Sequence, residues 1–200
     1  MSFASERPRA FERISTAGAT LVAAAIAFVV INGLAFYGAL YRAVLDPAST
    51  TGAFESAVAR LSAVPANRTR DVLVLGDSRI YSGLDPAVAS AAAGGRLRFL
   101  DGSVPGTTPR CWFFLTRAVD PNADRYRAIV IPLDTYGDDD SAIGSIDGDF
   151  RELDLHYIVF RVRPTDIRKL AESFGDRRAQ LNIAASIALR GPLLREDVQA

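Results

Sequence analysis

The chain opens on one long apolar stretch and then changes rhythm. No charged residue occurs between Ile14 and Tyr41, and the centre of that run, AGATLVAAAIAFVVINGLAFYGAL, covers Ala17 to Leu40. A helix over that length is about 36 Å long, enough to cross a hydrocarbon core of about 30 Å with some tilt. Its apolar residues lie all round rather than on one face, so the pattern predicts a spanning helix, not an amphipathic surface helix. After it, Asp46 to Thr51 reads as a turn-rich tether. Phe54, Val58 and Leu61 then recur at i, i+4 and i+7, which predicts a short amphipathic helix ending before Pro65.

From Asp71 the pattern alternates between short apolar runs and capped helical stretches. Val72-Leu73-Val74-Leu75, closed by Gly76, is the signature of a parallel strand buried on both faces. Asp85-Pro86 starts a helix that runs to Gly94-Gly95, and Arg96 to Leu100 reads as a second strand. Thr108-Pro109 starts another helix, ending before Pro121, and Ala128 to Leu133 reads as a third strand. Leu155 to Val162 is a fourth strand or a short helix, and Thr165 to Leu189 is one or two helices. This order predicts an α/β fold built on a doubly wound parallel sheet. Ligands in such sheets sit beyond the carboxyl ends of the strands. Three loops are therefore the places for chemistry: Gly76 to Asp85, Asp101 to Thr108, and Asp134 to Asp149.

Charge adds an orientation. Arg7, Arg9 and Arg13 precede the apolar run and Arg42 alone follows it closely. The positive-inside rule then puts residues 1–16 in the cytoplasm, a membrane span at 17–41, a linker with a short helix at 42–70, and an α/β domain at 71–200 outside. Tyr37 and Tyr41 suit an interfacial aromatic belt. A cleaved signal peptide would carry a shorter apolar core and a small-x-small cleavage site. A buried core helix of this length fits poorly in a chain of 200 residues. Both are set aside in favour of an anchor. A net charge of zero and a pI near 6.6, with the arginines scattered, give no reason to expect nucleic acid.

The titratable inventory narrows the chemistry. Cys111 is the only cysteine, so neither an intrachain disulfide nor a cysteine metal cage forms, and it reads as a small buried hydrophobe. His156 is the only histidine. The loop aspartates Asp138, Asp139, Asp140, Asp147 and Asp149 lack the spacing of a calcium loop and read as solvated; no metal or cofactor is expected. Asn67-Arg68-Thr69 fits the N-glycosylation pattern, a weak signal outside a eukaryotic secretory setting. Arg79 reads as the ion-pair partner of a loop aspartate, or as a guide for an anionic substrate.

Gly76-Asp77-Ser78 opens the first loop, and a serine at that point has its hydroxyl presented at the sheet edge. The run VLVLGDSR, followed by a glycine-bearing loop after the second strand, resembles the SGNH/GDSL hydrolase superfamily. That resemblance makes Ser78 the nucleophile. It makes Gly106, in DGSVPGTTP, the second oxyanion donor. The family's third block brings an asparagine and its last a D-x-x-H base. This chain reads PLDTYGDDD at the former point, with Asp134 or Tyr136 in the neighbourhood, and has no D-x-x-H. The nearest substitute is Asp154 with His156, a D-x-H pair that can cooperate only in a strand or loop. The resemblance implies a serine esterase or O-acyltransferase acting on acyl groups of an envelope glycan, in a chain that reads as the first part of a longer protein or a degenerate copy. The competing expectation is a non-catalytic scaffold or assembly component of an envelope complex.

Overall fold

A computed structural model of the chain describes residues 7–36, 41, 42, 44–132, 149–173 and 177–194. Helix α1, Arg7–Phe36, contains one stretch, Thr16–Phe36, long and apolar enough to cross a membrane. Its side chains are mostly bare, with Leu21, Ile31 and Leu34 among the most exposed. The helix begins well before the expected span, inside the segment assigned to the cytoplasm, and Tyr37 lies outside the described residues.

Helix α2, Thr50–Ala63, forms where the i, i+4, i+7 spacing places it. Ser49 caps it by accepting a hydrogen bond from the Gly52 N–H at 3.1 Å, and Phe54, Ala57, Val58 and Leu61 are buried on one face. Strand β1, Asp71–Gly76, is buried at all six positions. It is followed by the short helices α3, Ser78–Gly83, and α4, Pro86–Ala92, and by strand β2, Arg98–Ser103. The expected start of β2 at Arg96 moves because Arg96 donates its N–H back to Ala93, in the turn that closes α4. Helix α5, Pro109–Val119, and strand β3, Ala128–Val130, complete the crossover units. Beyond come α6, Asp149–Ile158; a 3₁₀ turn at Pro164–Asp166; α7, Ile167–Glu172; α8, Arg177–Ala188; and α9, Arg190–Leu194. The stretch from Leu155 that reads equally as strand or helix is therefore helical as far as Ile158.

The fold is mixed α/β with a three-stranded parallel sheet in the order β2-β1-β3. Register pairs Leu73 with Leu100 on one side and with Ile129 on the other. Side chains alternate between faces along β1. Leu73 and Leu75 join the main core with Phe54 and Leu61 of α2, Leu115 of α5 and Leu155 of α6. The opposite face lies against α3: a Cβ at Gly76 would meet the Ile80 Cβ at 2.5 Å. At the amino end of the sheet, buried Asp71 accepts from Arg98 Nε at 2.7 Å and from the Asn67 N–H at 2.8 Å, which ties the starts of β1 and β2 together.

Candidate functional site at the end of the central strand

Ser78 follows β1 by two residues and is solvent-exposed. The sequence reads the stretch after Gly76 as loop, yet Asp77 has the geometry of an N-cap, and a single helical turn forms behind it. The Asp77 carboxylate accepts from the Arg79 N–H at 2.9 Å, and its backbone carbonyl accepts from the Tyr81 N–H at 2.9 Å. Ser78 is thus the first residue of a helix rather than a point on a free loop. Arg79 turns back on Asp77 as an ion pair at 2.8 Å, the partner expected for it. Burial pushes the Asp77 carboxyl up, but the Arg79 hydrogen bonds and charge outweigh it and hold the group below the usual carboxylate value. Asp77 is therefore a capping anion already engaged, not a base beside the serine.

The loop after β2 is fastened to the same strand end. The Gly76 carbonyl accepts from the Val104 N–H at 3.0 Å and from the Thr107 hydroxyl at 3.3 Å. Thr107 in turn accepts from the Trp112 indole at 2.9 Å. Gly106, at φ +75°, occupies the left-handed region that favours glycine. Tyr157 reaches across from α6 to donate to the Pro105 carbonyl at 2.8 Å, so close that a Cβ at Gly106 would meet its hydroxyl at 2.5 Å. Burial foremost, with the Asp154 charge adding to it, pushes the Tyr157 phenol up to about 12 and keeps it a donor. Ser78 and Gly106 therefore lie on two segments that share Gly76 as a hub. Among the described residues, no group accepts from the N–H of either.

Asp154 and His156 are placed otherwise. Both sit on α6, where residues two apart project to different sides, so the arrangement in which the pair can cooperate does not form. Asp154 is buried and pairs with Arg110. It accepts from the Thr108 hydroxyl at 2.9 and 3.0 Å and lies 3.3 Å from the Cys111 sulfur. Burial raises its carboxyl above the ordinary value, an effect that Arg110, Thr108 and Cys111 only partly offset. His156 is half-buried, and its backbone carbonyl accepts from the Thr51 hydroxyl at 2.7 Å. Thr108 stands at the N-cap position of α5 but makes no side-chain cap, because its hydroxyl is spent on Asp154. Cys111 is fully buried, and burial foremost pushes its thiol well up, so the reading as a small buried hydrophobe holds.

Tyr157, Thr107 and Arg110 are the residues that sequence reasoning missed. Tyr157 and Arg110 act across 52 and 44 residues of chain, and no local pattern announces either. The third loop, with Asp134, Tyr136, Asp138, Asp139, Asp140 and Asp147, lies outside the described residues. A cavity of about 460 Å³ opens beside Arg110, lined by Phe113, Phe114, Lys169 and Leu170 among others; neither Ser78 nor Gly106 lines it. No protein-family model matches the chain, and no curated protein or solved structure matches it either.

Proposed function

We propose that the chain is a membrane-anchored serine esterase or O-acyltransferase domain of SGNH-like design, held outside the cytoplasm and acting on acyl groups of an envelope glycan. The observation that carries this reading is the exposed Ser78 at the carboxyl end of the central strand, with the Gly106 loop fastened to the same strand end at Gly76. In a doubly wound sheet of strand order 2-1-3 that position borders the switch point, where ligands collect. The placement of Leu73 toward α5 and of Gly76 toward α3 is consistent with crossovers on both faces.

In this mechanism the Ser78 oxygen attacks the ester carbonyl carbon, and the Ser78 and Gly106 N–H groups receive the developing oxyanion. The carbonyl–alkoxy bond then breaks, leaving the acyl group on Ser78 and the serine proton on the departing alcohol. Water or a second alcohol takes the acyl group in the next step. Asp154 is committed to Arg110 and Thr108, and no described contact brings His156, the only imidazole in the chain, to Ser78.

A second reading is favoured by one observation. The Arg110–Asp154 pair fastens α6 to α5 as a structural tie, which suits a non-catalytic scaffold in an envelope complex. A fluorophosphonate probe applied to the full-length protein in membranes decides between them. Labelling that disappears in Ser78→Ala supports the enzyme; no labelling of folded protein supports the scaffold. Labelling that survives Ser78→Ala removes the serine assignment.

A further inference from the structure

The end of α1 is bolted to the carboxyl-terminal helices by a polar residue inside the apolar run. Asn32 lies within the Thr16–Phe36 stretch and is only 5% exposed. Its side-chain amide donates to the Ala188 carbonyl at 3.3 Å, and its amide oxygen accepts from the Gly191 N–H at 3.1 Å. Phe36 packs against the cluster of Tyr41, Val159, Phe160 and Leu194 just beyond. An amide in the hydrocarbon region needs partners at its own depth, because lipid offers none. Asn32 precedes the end of the stretch at Phe36 by about 6 Å of helix. Ala188 and Gly191 must lie at that level whenever α1 spans a bilayer.

Helix α8, which ends at Ala188, is thereby brought to the membrane surface. Ile183 and Ile187 face the protein and are buried. Leu181, Ala185 and Ala188, at i, i+4 and i+7, are exposed, with Leu181 at 70%. Arg177 and Arg178 at its first turn are exposed as well. On α1, the side opposite Asn32 is bare apolar surface at Val30 and Leu34. We infer that α8 is an interfacial helix. Its Leu181–Ala185–Ala188 stripe dips into the outer acyl region beside α1, and Arg177 meets the headgroup phosphates. The bilayer is its occupant because the stripe continues from the spanning helix through the Asn32 contact. The small apolar area of the stripe suffices, since α1 already holds α8 at the membrane at high effective concentration. The domain is then fixed in height and tilt over the bilayer rather than swinging on a tether, which would set the depth at which any substrate meets it.

The inference rests on α1 being a membrane span, and the test separates the two. Full-length protein would be reconstituted into phosphatidylcholine–phosphatidylglycerol vesicles with an environment-sensitive fluorophore on a cysteine introduced at Leu181, at Ile26 in mid-span, or at Val88 on α4. Vesicles carrying a nitroxide near the headgroup serve as quenchers, and unsubstituted protein measures any labelling of Cys111. The expected result is blue-shifted, headgroup-quenched emission at Leu181, lost when Asn32→Leu is added, with Val88 unquenched. Leu181 behaving like Val88 while Ile26 reports lipid overturns the interfacial helix and leaves the anchor standing. A water-exposed label at Ile26 sinks the anchor and the inference together.

Discussion

The two edges of the sheet are finished very differently. On β2 the backbone groups that point away from β1 are met by the chain itself. The Phe99 N–H donates to the Ser90 hydroxyl at 2.9 Å, the Asp101 carbonyl accepts from Arg60 at 3.1 Å, and the Ser103 N–H donates to the Asp101 carboxylate at 2.8 Å. On β3 no described residue meets the outward groups of Ala128 and Val130, and Ile129, Val130 and Ile131 are 40–48% exposed. A parallel strand is normally covered on both faces, and an unpaired edge invites another strand. Among the described residues, the sheet therefore has one edge that the chain meets and one that it does not. Ser78 opens α3 after the central strand, and the Gly106 loop follows β2, where its hydrogen bonds to Gly76 give it a fixed frame.

The comparison can be broken most forcefully in the core. Leu73→Ala, at a fully buried position, is expected to cost about 3 kcal/mol, whereas Ile129→Ala across the strand pair should cost less than about 1 kcal/mol. Denaturant melts of both variants check this, and equal losses would mean that β3 is as well covered as β1. Next in size is the tie at the amino end. Asp71→Asn leaves Arg98 without its counter-charge and is expected to cost about 2 kcal/mol, because Arg98 remains partly hydrated.

That variant also has a pH signature. Burial raises the Asp71 carboxyl, but its bonds to Arg98 and Asn67 outweigh burial, so the folded-state value lies below the unfolded one. The stabilisation is therefore fully present above about pH 4 and lost as the pH falls through the folded-state value. Asp71→Asn should flatten the stability profile in that acid range, and an unchanged profile would remove Asp71 from the account. Smaller still, Ser90→Ala opens the closed edge at the Phe99 N–H and is expected to cost about 1 kcal/mol. Val130→Lys on the open edge should stay within about 0.5 kcal/mol of the parent in a thermal melt. A large loss there would show that something packs on β3.

Much of the architecture was legible because it is local. The spacing of Phe54, Val58 and Leu61 announced α2, and Asp85-Pro86 announced α4, where the Asp85 carboxylate accepts from the Ala87 N–H at 2.8 Å. The exposed serine after β1 was legible as well, since a strand buried at every position must end at the sheet edge. The helix behind Ser78 was missed because one turn has no periodicity to read. The roles of Asp154 and His156 were illegible for a different reason: whether residues two apart share a side depends on strand against helix, and the stretch from Leu155 suited both.

The order of residues by itself determined a helix of membrane-crossing length, the alternation of strands and helices, and a serine presented where the first buried strand ends. Tertiary structure alone decided which polar groups are spent. It tied Asp154 to Arg110 and Thr108, set Tyr157 against the Gly106 loop, and joined Asn32 to Ala188 across 156 residues. The physical reason is that propensity and periodicity act over a few neighbours. A buried hydrogen-bonding group, by contrast, must find its partner wherever the packed chain brings one within about 3 Å.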